Sequence, residues 1–272
     1  MNASGLNAIM LQPGDLVIAA ALLVMDGVLS VALGLRLHRA MLVATARMVV
    51  QLLLIGVVLR TVFQAGSASV TLGILVVMTL VAIREAAARP RHRLARYGNY
   101  MVASLAVGAA TGLAALLALT TALRPEPWWN PRYAIPVTGI VLGSAFGTAS
   151  LTLDGVLGGA AAARGGIEAR LALGHSFAAA TRPLMADAIR RGLMPVLNQM
   201  AAAGLVTLPG TMTGQILAGL DPIEAVKYQI LLMLLLAGAS ALAAIITAHL
   251  ATRRLTDDRQ RLRLDRLITT GL

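Results

Sequence analysis

The chain has 272 residues, of which 58% are hydrophobic and only 13% charged, and it carries a net charge of +11. A soluble domain spends about a quarter of its residues on charge, so this composition excludes an ordinary globular enzyme and describes a polytopic membrane protein. The absence of cysteine excludes disulfides, thiolate-bound zinc and iron–sulfur clusters, and an aromatic content of 3% argues against a base-stacking surface for nucleic acid despite the positive charge.

The first 35 residues contain no Lys or Arg, so the opening helix reads as retained and not as a cleaved signal, with Pro13 and Asp15 at its start. Apolar runs follow at 15–35, 41–63, 68–88, 99–123, 133–153, 193–219 and 224–251, each near the twenty-odd residues that a span requires. The expectation is an all-α fold with about seven transmembrane helices in a single domain over 1–272. Arginines cluster after the first, third, fifth and seventh runs, while the alternate connections are short and carry little positive charge. The positive-inside rule then puts the N-terminus outside and the C-terminus in the cytoplasm, with Trp128, Trp129 and Tyr133 in an outer interfacial belt.

Asp26 lies about halfway through the first helix, where a carboxylate costs about 2.5–3.5 kcal/mol. Counted from a turn near His38, it is nearly level with Arg47 and Gln51, which share one face of the second helix, so a contact between Asp26 and one of them is expected. Such a contact either belongs to a polar pathway or only locks two helices. The arginine run from Arg84 to Arg93, stopped by Pro90, reads as a solvated, lipid-contacting helix end, with His92 a surface residue. Glycines at every fourth position, Gly108 and Gly112, then Gly139, Gly143 and Gly147, predict grooves for close helix approach.

Residues 155–192 form the longest hydrophilic connection, with short amphipathic helices around Glu168, Ala169 and Arg170, then Gly174, and again near Ile189. The tail 252–272 is basic and reads as a cytoplasmic helix or a disordered end. No G-x-x-x-x-G-K-[ST] phosphate loop is present, so ATP has no such cradle in this chain.

The stretch Met194 to Pro222 is long enough to span, yet Asn198, Gln199, Thr213 and Gln215 lie inside it and Pro209-Gly210 breaks it. Hydrocarbon satisfies neither carboxamides nor broken backbone, so the segment must pack in protein or line a cavity. One reading makes it a transient cation site built from freed carbonyls, the amides, Thr213 and the soft sulfur of Met212. The other makes Pro209, Gly210 and Gly214 a hinge while the amides bond across helices.

The run from Gly204 to Gly219, followed by Asp221-Pro222 and Lys227-Tyr228-Gln229, resembles the signature of the FetB family, and Arg47-Met48-Val49-Val50-Gln51-Leu52 is a second match. Members of that family are membrane permeases of ABC transporters linked to iron export, with plant relatives that work with a separate ATPase. Glu168-Ala169-Arg170-x-x-x-Gly174 is similar to the loop by which ABC import permeases dock on their ATPase, with Arg170 in place of an Ala and Leu193-Met194-Pro195 set later than that family's Leu-Pro.

The resemblance implies a non-enzymatic permease subunit, a homodimer in a bacterial inner membrane, driven by a separate cytoplasmic ATPase that holds the ATP. Iron as substrate is implied by the resemblance alone, and the metal ligands stay unknown. The alternatives are a permease for another substrate such as a nucleotide sugar, an ion-coupled carrier or channel, and a membrane scaffold that moves nothing.

Overall fold

Three helix starts in the computed structural model, which describes residues 13–35 and 38–269, fall where the sequence supplies a side-chain cap. Asn130 accepts a hydrogen bond from the Arg132 N–H at 3.1 Å ahead of Pro131, and Ser176 accepts from the Ala179 N–H at 3.3 Å. Asp221 accepts from the N–H groups of Ile223 and Glu224 ahead of Pro222. Each arrangement satisfies donors that the first helical turn leaves unpaired.

The order is α1 (Pro13–Ala32), α2 (His38–Ala65), α3 (Ala68–Ala88), β1 (His92–Leu94), α4 (Gly98–Leu117), α5 (Pro131–Ala162), α6 (Arg164–Ala172), α7 (Phe177–Ala202), α8 (Gly210–Leu217), α9 (Pro222–Arg254) and β2 (Leu267–Thr269). Strands β1 and β2 pair antiparallel with Arg93 opposite Ile268, and they make the only sheet among the described residues.

The chain divides into two compact units, one comprising residues up to Gly66 with Leu217–Gly219, the other the remainder. In the first, α1 packs on α2, and both helices expose most of their leucine and valine side chains. In the second, α5 is central and touches α3, α4, α7 and α9. Its buried seam, Ala134, Thr138, Val141, Ala145, Thr148, Thr152, Val156 and Ala160, returns every third or fourth residue, as one helical face requires.

Among the described residues six helices are long and apolar enough to cross a membrane: α1, α2, α3, α4 with its extension to Ala122, α5 and α9. The protein is therefore an all-α polytopic membrane protein. The expected run 193–219 is not one helix, because α7 ends at Ala202, residues 203–209 are non-helical, and α8 restarts at Gly210.

Three further expectations are corrected. The connection 155–192 is much shorter than its polarity suggests, since α5 continues to Ala162 and α7 begins at Phe177, leaving α6 as its one short helix. Polar residues at a bundle end stay helical when the helix extends beyond the apolar layer. The tail, expected as a helix or a disordered end, folds back instead: Leu262, Leu264 and Leu267 pack on a core containing Leu94, Val102, Leu157, Phe177 and Leu255.

The close helix approach is also relocated. A Cβ on Gly143, Gly147, Gly108 or Gly112 would meet nothing within 4 Å, whereas one on Gly192 would overlap Thr152 Oγ1 and lie 3.1 Å from the Thr148 carbonyl oxygen. One on Gly155 would lie 3.1 Å from Ala188 Cβ, so the tight α5–α7 seam uses Gly155 of α5 and Gly192 of α7, while of the four-residue repeat Gly139 alone meets a neighbour, the Met78 methyl of α3 at 3.0 Å.

Candidate functional site: the break after α7 and the turn before it

The break begins where α7 loses its last regular bond. Gly204, at φ +86, turns the chain in a conformation that only glycine adopts without strain. Thr207 closes the loop, donating its N–H to the Ala202 carbonyl at 3.0 Å and accepting from the Gly204 N–H at 2.9 Å. Leu205, 93% exposed, and Val206 form the tip.

Pro209 then supplies the first carbonyl of α8, accepting from the Thr213 N–H at 3.0 Å and from Thr213 Oγ1 at 3.2 Å. The sequence reading left the carbonyls around Pro209 free for a cation. The carbonyl of Pro209 itself is engaged twice, because α8 restarts at the next residue and takes it as its N-terminal acceptor.

Two cavities flank the break. One of about 430 Å³ is lined by Met200, Pro209, Met212, Gln229 and Met233 among others, so the structure brings Met200 and Met212 together with a third thioether from α9. The other, of about 360 Å³ between α5 and α7, is lined by Gly143, Ser144, Gly147, Thr148, Pro195 and Gln199. Asn198 is exposed on the same turn as Gln199, and Gln215 is half-buried on α8. Across the bundle, Ser144 and Ser240 share a hydrogen bond of 2.7 Å between α5 and α9.

Gln229, absent from the sequence-derived site, is 8% exposed in α9 and accepts from Thr211 Oγ1 at 2.6 Å. A carboxamide inside an otherwise apolar helix was the signal available for it. The cavity beside Met212 is thus lined mostly by aliphatic side chains and thioethers with one carboxamide, and the cavity between α5 and α7 adds the hydroxyls of Ser144 and Thr148, with no charged side chain in either. Among the described residues no three His, Cys, Asp or Glu side chains gather at metal-binding distance.

The residues of α1 and α2 stand differently from expectation. Asp26, Arg47 and Gln51 are all exposed, and Asp26 makes no hydrogen bond or ion pair among the described residues. Equal height on two helices does not fix rotation about their axes, so residues at one depth need not meet.

At the other end of α7 stands a helix–turn–helix. Gly174, at φ +87, makes the turn, and Arg170 Nη1 donates across it to the Ala180 carbonyl at 3.3 Å, tying α6 to α7. The arginine that departs from the import-permease pattern is therefore the residue that bridges the turn. Glu168 accepts from Arg164 Nε at 2.9 Å, and Ala169 and Leu173 are exposed beside it. The tail reaches the same corner, where Gln260 Oε1 accepts the Phe177 N–H at 2.9 Å. Hydrogen bonds from Arg261 hold the Asp257 carboxyl well below the usual carboxylate range, and Arg263 does the same for Asp265.

A family model described as Uncharacterised protein family (UPF0014) matches residues 13–256. The chain belongs to the UPF0014 family. It is 36% identical over 241 residues to UPF0014 membrane protein STAR2 of Oryza sativa subsp. japonica, covering 89% of this chain and 81% of that one. It is 30% identical over 228 residues to Probable iron export permease protein FetB of Escherichia coli strain K12, covering 84% and 86%. UPF0014 membrane protein YjkA of Bacillus subtilis strain 168 is 32% identical over 213 residues, covering 78% and 83%. No solved structure matches the chain. The UPF0014 match spans α1 to the end of α9, so the broken span and the helix–turn–helix both lie within it.

Proposed function

We propose that this chain is the membrane-spanning permease subunit of an ATP-driven transporter that moves iron outward across a bacterial inner membrane, with ATP bound and hydrolysed on a separate cytoplasmic ABC subunit. The observation that carries the reading is the continuity of α7. It runs 26 residues from the exposed α6 turn to the break at Ala202, about 39 Å at 1.5 Å per residue. A displacement imposed at Gly174 is delivered by a single rod to the loop that opens the span, as coupling to an external motor requires. Pro195 and Pro183 soften that rod without ending it.

In this reading Glu168, Ala169, Arg170 and Gly174 present the docking face. Pro209, Gly210 and Gly214 let α8 move, and Gln199, Met212, Thr213 and Gln215 line the route with Gln229. Iron as cargo is supported by the name of the Escherichia coli relative. Asp26, exposed at membrane depth and without a partner among the described residues, meets a second copy of the chain in a homodimer in this reading.

Reconstitution into liposomes with and without an ABC ATPase, under an imposed iron gradient and with ATP, tests the reading. Flux should require both the ATPase and ATP hydrolysis. It should fall at least tenfold when Arg170 is changed to Glu, while ATPase activity of the free motor stays unchanged. Flux without any ATPase would refute the permease reading in favour of a carrier or channel, and no flux in either case would favour a scaffold. Changing Gln51 or Gln215 to Ala should raise the iron content of cells expressing the chain.

A further inference from the structure

One end of the second unit gathers the end of α3, the start of α4, the end of α9 and the folded tail. The lacing is specific: the Ala95 N–H donates to the Arg266 carbonyl at 2.8 Å, and the Arg91 N–H donates to Asp154 Oδ1 on α5 at 2.9 Å. Arg96 and Tyr97 both adopt positive φ, which lifts the loop away from the first turn of α4. Between this loop and the tail lies a cavity of about 570 Å³ lined by Arg96, Arg254, Arg263, Arg266 and Asp265, a surplus of three positive charges.

The four guanidinium groups are not equally committed. Arg263 holds Asp265 through two nitrogens at 2.9 and 2.8 Å, and Arg266 donates to the carbonyls of Arg254 and Thr256 at 2.9 Å each. These two build the wall. Arg96 makes no hydrogen bond or ion pair among the described residues, and Arg254 donates only to the sulfur of Met101, a weak acceptor. Guanidinium forks without an oxygen acceptor, set in a positive cavity, match the two anionic oxygens of a phosphodiester.

The surroundings point to one source of that group. Tyr97, 82% exposed, and Tyr100 stack edge to face at 6.2 Å beside the cavity, and exposed tyrosines at a helix start mark the headgroup level. Met101 and Leu105, four residues apart on α4 and both exposed, follow Tyr97, so an apolar track leads from the cavity into the acyl layer.

We propose that this cavity is a headgroup site for an anionic glycerophospholipid, whose phosphodiester is held by Arg96 and Arg254 within the field of Arg263 and Arg266, with an acyl chain along the Tyr97–Met101–Leu105 face. The proposal needs only that this end meets a membrane surface, and it stands whether or not the chain is driven by an ATPase.

The test is native mass spectrometry of the full-length protein in detergent, titrated with phosphatidylglycerol and with phosphatidylcholine of matched chains. Wild-type protein should take up phosphatidylglycerol at a roughly thirtyfold lower concentration, near what two membrane-facing arginines supply. The pair Arg96→Gln with Arg254→Gln should abolish that preference. Arg253→Gln with Arg259→Gln removes the same charge outside the cavity and should leave it intact. Arg96→Gln alone should weaken it severalfold, and because the Arg96 side chain bonds to nothing among the described residues this variant keeps the test valid if the pair fails to fold. No preference in the wild type, equal loss in both pairs, or full displacement of the lipid by millimolar inorganic phosphate would overturn the proposal.

Discussion

The backbone N–H of Phe177 donates to the side-chain oxygen of Gln260 at 2.9 Å, joining the first residue of α7 to a tail that follows it by 83 positions. The tail thereby caps the helix that links the α6 turn to the broken span. Gln260→Ala should leave that N–H without a side-chain acceptor, at a local cost of about 1 kcal/mol. Hydrogen exchange over residues 175–181 should accelerate severalfold with exchange in α9 unchanged. An unchanged rate there would show that water replaces Gln260 at no cost.

The acid response of the same tail follows from its carboxylates. Asp257 and Asp265 are held below their ordinary value by Arg261 and Arg263, so their contribution is present above the unfolded value and is lost as pH falls through the lower folded one. The tail should stay docked down to about pH 4 and loosen below it. Exchange labelling of residues 256–268 in a series from pH 6 to roughly pH 2.5, corrected for intrinsic rates, checks this. Loosening that instead begins near neutrality would point to histidine and sink the assignment.

Much of this architecture is legible in the sequence because apolar length and the placement of arginines are properties of single segments. The spans ending near Ala32, Ala65 and Ala88 needed only a count, and the break at Pro209 needed only its chemistry. What stayed hidden depends on rotation or on distant pairing. Three-residue strands such as His92–Leu94 and Leu267–Thr269 carry too little alternation to be recognised, yet their pairing folds the tail. Gln229 lies in the stretch that carries the family resemblance, but only the position of Thr211 reveals what it binds. The face on which Asp26 stands is a matter of azimuth, which a hydrophobic run on every side of a helix does not encode.

Gly192 faces Thr152 so closely that a methyl group there must displace the hydroxyl, and Thr152 Oγ1 has no hydrogen-bond partner among the described residues. Gly192→Ala should therefore lower stability by about 1–3 kcal/mol through overpacking, against the small gain that Ala brings to a helix interior. Thr152→Ala alone should cost little, since it removes an unpaired polar atom. The double variant should recover part of the loss, with the remainder set by the Thr148 carbonyl 3.1 Å away. Thermal unfolding in detergent of all four proteins checks the cycle, and additive losses would place α5 and α7 further apart than described.

The bond from Thr211 to Gln229 separates packing from transport. Thr211→Val leaves a buried carboxamide oxygen without its donor and should cost about 1–3 kcal/mol, while Gln229→Leu removes the group that needs satisfying. Combining the two replaces a polar pair by an apolar one and should return stability close to that of the wild type. If the pair only fastens α8 to α9, iron flux should return with stability. If Gln229 belongs to the route, flux should stay at least tenfold down in the stable double variant, since the cavity then keeps its shape and loses an oxygen donor. Measuring unfolding and liposome flux on the same preparations decides between these, and full recovery of flux would remove Gln229 from the pathway.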